Sequence, residues 1–221
     1  MPPVPRHLRV FLASPGDVAE ERALARAVLD QLQYAPGLRN KVTIDVVAWD
    51  KPGAGTPMLA TLTPQEAIAQ GLTKPADCDI VVVVLWSRIG TPLPPEYTKT
   101  DGSRSLSGTE WEYENALDGH KKNGTPQILV YRRTQEPAYT PSQLTAADSP
   151  LVQWQHVQKF FDAFRNPDGS LRGGVNEYGT PDEFRTALDD HVKRIIFHLL
   201  DAQTSKADQL PVAGGPVAPP L

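Results

Sequence analysis

Three carboxylates, Glu110, Glu112 and Glu114, crowd the opening turns of a predicted helix in the segment Ser107-Gly-Thr-Glu-Trp-Glu-Tyr-Glu-Asn-Ala-Leu117, which follows a very apolar strand. A carboxylate so placed can stabilise positive charge that develops on a bound substrate, so this segment is the best candidate active site in the chain. The spacing Ser107-x-x-Glu110 fits a capping box, in which the serine accepts from a free backbone N–H and the glutamate bonds back to the cap. That gives Glu110 a structural task. Glu112 stands four residues before Ala116, so the two stack on one face and the small alanine leaves room above the carboxylate. At about 100° per residue, Tyr113, Ala116 and Leu117 form the apolar stripe, with Glu112 at one edge and Glu114 at the other. Geometry alone does not choose between those two. All three glutamates also satisfy a bland reading, as solvated acids favoured by the helix macrodipole.

Other chemistry-bearing residues follow strands. In an open parallel sheet, ligands collect outside the C-terminal strand ends, where the strand order switches direction. After the first strand come Ser14, Pro15, Gly16 and Asp17, after the second Trp49 and Asp50, and after the third Trp86, Ser87, Arg88 and Gly90. The first set forms either a phosphate-facing turn or simply a tight turn, and Asp17 would repel an anion. Arg88 can clamp a diphosphate or pair with a carboxylate such as Glu112. Trp49 and Trp86 can stack on a planar ring, though tryptophans at strand ends also serve as partial core. Neither GxGxxG nor a Walker lysine is present, and no HxxxH, HExxH or GxSxG spacing occurs, so a metal site or a serine nucleophile is not expected.

The elements that must position these residues alternate. His7 to Ala13 reads as a strand, and Asp17-x-x-Glu20 as a second capping box opening a helix whose stripe is Val18, Ala25, Val28, Leu29 and Leu32. Val42 to Trp49 is a second strand, followed by an irregular loop from Asp50 to Pro57 and a short helix from Thr63 to about Leu72. Ile80 to Trp86 has no polar alternation, as befits a central parallel strand covered on both faces. A polar stretch from Pro92 to Leu106 leads to the glutamate helix, and Gln127 to Arg132 is a fourth strand. Beyond it lie a loop to Pro150, a helix from Leu151 to Phe164, and a brief strand near Val175 to Tyr178. Thr180-Pro-Asp-Glu183 then starts a last helix, which buries Phe184, Leu188, Val192, Ile195, Ile196 and Leu199. This order predicts an α/β doubly wound parallel sheet of four to five strands. Residues 1–6 form a lead, 7–201 the domain, and 202–221 a Pro/Gly/Ala-rich tail or linker of the kind that joins a domain to a longer parent.

Composition limits the function classes. The 221 residues are 40% hydrophobic and 22% charged, enough for one substantial core. A net charge of −4 and a pI near 5.7 argue against nucleic-acid binding, which needs a dense basic surface. Cys78 is the single cysteine, so no intrachain disulfide forms, and burial as small filler is its expected role. The longest apolar run is too short to span a membrane and the N-terminus has no signal core, so a cytoplasmic location is expected.

Three segments carry a family resemblance: Val10-Phe-Leu-Ala-Ser-Pro-Gly-Asp-Val-Ala-Glu-Glu-Arg22, Val84-Leu-Trp-Ser-Arg-Ile-Gly-Thr91 and Gly108-Thr-Glu-Trp-Glu-Tyr-Glu-Asn-Ala-Leu117. Together they resemble the TIR-like domains found N-terminal to STAND-type (NACHT-like) signalling ATPases and in bacterial defence proteins, over about residues 7 to 200. The resemblance implies a flavodoxin-like fold and cleavage of the nicotinamide–ribose bond of NAD, with NAD as substrate and no further cofactor. The Glu-x-x-x-Ala spacing is also similar to that of nucleoside deoxyribosyltransferases, and both likenesses select Glu112 as catalytic. Ser14, Pro15, Gly16, Trp49, Trp86, Ser87, Arg88 and Gly90 are then the expected nucleotide contacts. The chain differs from ordinary TIR domains in lacking their Trp-Cys pair before the glutamate and in its Pro92–Leu106 insertion. The resemblance further implies self-association and antiphage signalling. Its non-catalytic members imply the rival reading, an interaction or nucleotide-sensing module.

Overall fold

The computed structural model describes residues 4–48, 73–94, 97–99, 102–140, 144 and 149–208, with side chains to Ala202. Trp49, the loop from Asp50 to Pro57 and the short helix predicted from Thr63 to Leu72 lie outside the described residues. The elements are β1 (Arg6–Ala13), a 3-10 turn (Gly16–Val18), α1 (Ala19–Leu32), β2 (Val42–Val47), β3 (Ile80–Leu85), α2 (Gly108–Asn123), β4 (Gln127–Arg133), α3 (Pro150–Asp162), β5 (Asn176–Tyr178) and α4 (Pro181–Asp208). The five strands form one sheet in the order β2-β1-β3-β4-β5, every pair parallel.

The apolar run of β3 explains its central place. All six of its side chains are buried, and they alternate between two cores, as a period of two requires. Ile80, Val82 and Val84 join Leu8, Val10 and Leu12 of β1 beneath α1 and α4. Val81, Val83 and Leu85 join Phe11 and Ala13 beneath α2 and α3. Cys78 sits in this second core, and burial pushes its thiol up to about 12, so it is inert filler. The order of the strands reverses direction between β1 and β3, which makes their C-terminal ends the switch point.

The predicted glutamate caps at Ser107 and Thr180 form, each with one change of partner, whereas the one predicted at Asp17 does not. Ser107 Oγ accepts from Glu110 N at 3.2 Å, and Glu110 Oε2 accepts from Leu106 N at 2.6 Å, one residue before the cap. At α4, Thr180 Oγ1 accepts from Glu183 N and Glu183 Oε2 accepts from Gly179 N, again the residue before the cap. The side chains predicted to be buried along α4 are so at Phe184, Leu188, Val192, Ile196 and Leu199. The helix continues past Ala202 to Asp208.

The buried face of α2 differs from the predicted one. It runs through Thr109, Glu112, Ala116 and Gly119, whereas Tyr113 and Leu117 are only half-buried. The cause is close approach: a Cβ on Gly119 would stand 2.9 Å from Ala76 Cβ and 3.0 Å from Ala76 Cα, in the turn before β3. Asn115 Oδ1 fixes that contact by accepting from Ala76 N at 2.9 Å. Small residues face the sheet side, and the larger ones are turned outward. Alanine ordinarily gains about 0.5–1 kcal/mol over glycine inside a helix. Gly119→Ala should instead lose about 1–3 kcal/mol, because the new methyl group meets backbone that must shift. Chemical denaturation checks this, and a stabilised variant would mean that α2 does not lie so close to the turn.

Candidate functional site

Asp17 ties the two sides of the switch point together. The sequence reading makes it a helix cap, yet the cap residue of α1 is Val18, with no side-chain cap bond. The 3-10 turn aims Asp17 Oδ2 across the sheet end instead, where it accepts from Ser87 N and Ser87 Oγ, both at 2.9 Å, and from Arg88 N at 3.1 Å. Three donors on one carboxylate oxygen outweigh a single cap bond. They also commit Ser87, which is buried.

Glu112 lies in the buried interior. Its side chain is 4% exposed and makes no hydrogen bond to a described residue. Burial raises its carboxyl to about 8, an effect that the nearby Arg22 guanidinium partly offsets. Arg22, itself buried, extends from α1 over the end of β1, with Nη1 3.4 Å from the Ser14 carbonyl. Arg22, rather than the expected Arg88, is therefore the cation whose charge acts on Glu112. Ser14 Oγ beside it is buried with no hydrogen-bond partner among the described residues. A glutamate from one sheet face and an arginine from the other thus approach each other over the C-terminal sheet edge.

The remaining candidates are dispersed around this edge. Pro15 is buried, and Gly16 is exposed with open space where a Cβ would project. Gly90 has φ +118°, and a Cβ there would press on Ser107 and Thr109, so it serves the approach of the β3 exit to the start of α2. Arg88 is exposed. Trp86 is half-buried: Arg133 lies 4.2 Å over its ring and its indole N–H donates to the Gln135 carbonyl at 2.7 Å. Arg133 also pairs with Glu21 at 3.0 Å, and Glu21 accepts from the Tyr178 hydroxyl, so this buried carboxylate has the partners that Glu112 lacks among the described residues. Gln153 of α3, which sequence reasoning missed, accepts from Ile89 N at 3.2 Å.

Glu110 and Glu114 face elsewhere. Glu110 pairs with Lys99 at 2.6 Å, and both glutamates line a cleft on the outer side of α2 to which Glu112 does not contribute. Among the described residues no group of three or more His, Cys, Asp or Glu could hold a metal, and no helix is long and apolar enough to cross a membrane.

The strand order and the flanking helices define a flavodoxin-like doubly wound α/β fold, with Glu112 and the nearby Arg22 at its switch point. In comparisons with known proteins, no family model matches the chain and no curated protein matches it significantly.

The raised carboxyl has a thermodynamic consequence. Below about pH 4.5 Glu112 is protonated in the folded and unfolded chain alike, and between there and about 8 only the unfolded chain ionises it. Stability is therefore lost as pH rises through that window. Glu112→Gln removes the titration, so its melting temperature should gain on the wild type from pH 5 to 8 and then run parallel. A difference independent of pH would show a solvated carboxyl.

Proposed function

We propose that this domain cleaves the nicotinamide–ribose bond of NAD, with Glu112 as the charge-stabilising carboxylate. The observation that carries the reading is a buried carboxyl without a hydrogen bond to a described residue, set against an arginine at the switch point of a nucleotide-type sheet. A desolvated carboxyl with no hydrogen bond to its described neighbours supports a functional site, because strongly perturbed carboxyls cluster there. The family resemblance of the sequence supplies the substrate.

The bond breaks as its electron pair passes to nicotinamide, which leaves neutral, and positive charge develops on the ribose carbon and ring oxygen. A Glu112 carboxylate beside that carbon stabilises the charge. The leaving group is already cationic, so no general acid is required. Water then adds to the carbon and releases a proton, giving ADP-ribose; attack by the adenine gives a cyclic product. The positive charge of bound nicotinamide favours the ionised form of Glu112 and so draws its proton off. Ser14 Oγ is suited to a ribose hydroxyl. The cellular role that suits this chemistry is bacterial immune or antiphage signalling, with activity raised when a sensor or ATPase joined to the domain clusters it. The alternative of a non-catalytic sensing or interaction module draws on one observation, the 4% exposure of Glu112. A nucleoside deoxyribosyltransferase-like transfer would use the same glutamate.

Glu112→Gln should lower NAD turnover by at least about 10²-fold, the scale of losing one electrostatic stabiliser, while Glu114→Gln keeps turnover near the wild type. Chromatography of nicotinamide and ADP-ribose reads both, and the reverse order would move the site to the outer flank of α2. The pH profile of kcat/KM should rise with a limb near 8, because the carboxylate is the active form. Specific activity should also climb with protein concentration or on fusion to an inducible oligomeriser, through raised effective concentration. A constant value from dilute to forced oligomer would exclude activation by clustering.

A further inference from the structure

The outer side of α2 carries a cleft of about 750 Å³. Its walls come from four elements. On one side, described residues of the Pro92–Leu106 insertion are held together by the Thr98–Arg104 antiparallel bridge and by Lys99 N donating to Ser103 O at 2.7 Å, a pairing called the first hairpin below. On the other a second hairpin is closed by the Arg165–Leu171 bridge and by Asn166 N donating to Ser170 O at 2.7 Å. Helices α2 and α3 supply the floor: Tyr113 meets Phe160 edge-on at 5.1 Å and Phe164 at 5.6 Å.

The chain as a whole is acidic, at −4, yet this cleft is cationic. Each wall contributes: Lys99 and Arg104 from the first hairpin, Lys121 from α2, Lys159 from α3 and Arg172 from the second hairpin, against Glu110 and Glu114. Lys99 is neutralised by Glu110, and Arg104 donates to the Leu93 carbonyl. Lys121, Lys159 and Arg172 make no ion pair with a described residue, so even with Glu114 against them a net positive charge remains around the aromatic floor. Ordinary solvated lysines on a convex surface do not surround a concavity in this way. The volume lies in the range of about 300–1,000 Å³ typical of small-molecule sites, and aromatic rings with nearby cations suit a planar base and its phosphates.

We propose that this cleft is a second ligand site, for an aromatic phosphate of the nucleoside triphosphate class. A nucleotide fits it better than an acidic peptide, because the cations surround one concave floor rather than line an extended groove. The site is independent of the chemistry assigned to Glu112, which lies on the opposite face of the same helix. Its position gives a ligand there a direct contact with the element that carries Glu112.

Calorimetric titration of the whole chain at low salt, with ATP, adenosine and inorganic tripolyphosphate as probes, tests the proposal. ATP should bind more tightly than either fragment. The double variant Lys121→Glu/Arg172→Glu, both exposed positions, should weaken ATP by at least about tenfold with an unchanged melting temperature, and Glu112→Gln should leave ATP affinity alone. Absence of ATP binding at millimolar concentration would overturn the proposal. Equal affinity for ATP and tripolyphosphate would reduce the cleft to an undiscriminating anionic-ligand surface and overturn it too. Loss of binding in Glu112→Gln with retention in the double variant would move the ligand to the sheet edge, and binding of an acidic peptide but not of ATP would favour a protein partner instead.

Discussion

The distance between α2 and the rest of the fold is the constraint on which the candidate site depends. Gly119 lets the helix touch the turn before β3, and Gly90 lets the β3 exit touch the start of the same helix. Ala116, fully buried, fills the remaining space without pushing the helix away. With α2 held this close, its sheet-side face is out of water, and Glu112 belongs to that face. Desolvation of a carboxyl is the direct result. A longer side chain at 116 or 119 would lift the helix, hydrate Glu112 and return it towards an ordinary glutamate.

The other carboxylates around the switch point have identifiable partners, although Asp17 Oδ1 has none among the described residues. Asp17 collects three donors from the β3 exit, and Glu21 collects Arg133 and Tyr178. Asp17 links the end of β1 to the exit of β3, and Glu21 links α1 to β4 and β5, so each helps fix the sheet edge. Glu112 departs from that pattern: Arg22 offsets its burial without restoring an ordinary carboxyl. Glu21 shows that the fold can pair a buried carboxylate, and the lack of a hydrogen bond from Glu112 to any described residue marks a place where local stability is given up. The same helix presents Tyr113 and Glu114 to the cationic cleft on its other side, so α2 separates two environments of different character.

Much of the architecture was legible in the sequence because the strands announce themselves. An uninterrupted Ile80-to-Leu85 run has one stable place, the middle of a parallel sheet, and the strand-helix alternation then leaves few topologies. The α4 cap and its stripe were equally plain. The face of α2 was misjudged because a hydrophobic stripe was sought, whereas the helix packs through alanine and glycine, which periodicity weighs lightly. Asp17 was misassigned because a capping box is a local pattern, and its stronger partners lie seventy residues away. Arg22 went unnoticed although the signal was present: with Glu21 it occupies the first turn of the same stripe as Ala25, Val28 and Leu29. A charge on a buried stripe is seldom idle.

The most direct test of the account is the titration of the Glu112 side-chain carboxyl itself, followed by carbon NMR in the wild type and in Arg22→Gln. A midpoint near 8 that moves upward when the guanidinium is removed is the expected result, since burial raises the group and Arg22 holds it down. A midpoint near 4.5, indifferent to Arg22, would contradict it, because Glu112 would then be a solvated surface acid with no claim to the chemistry proposed for it.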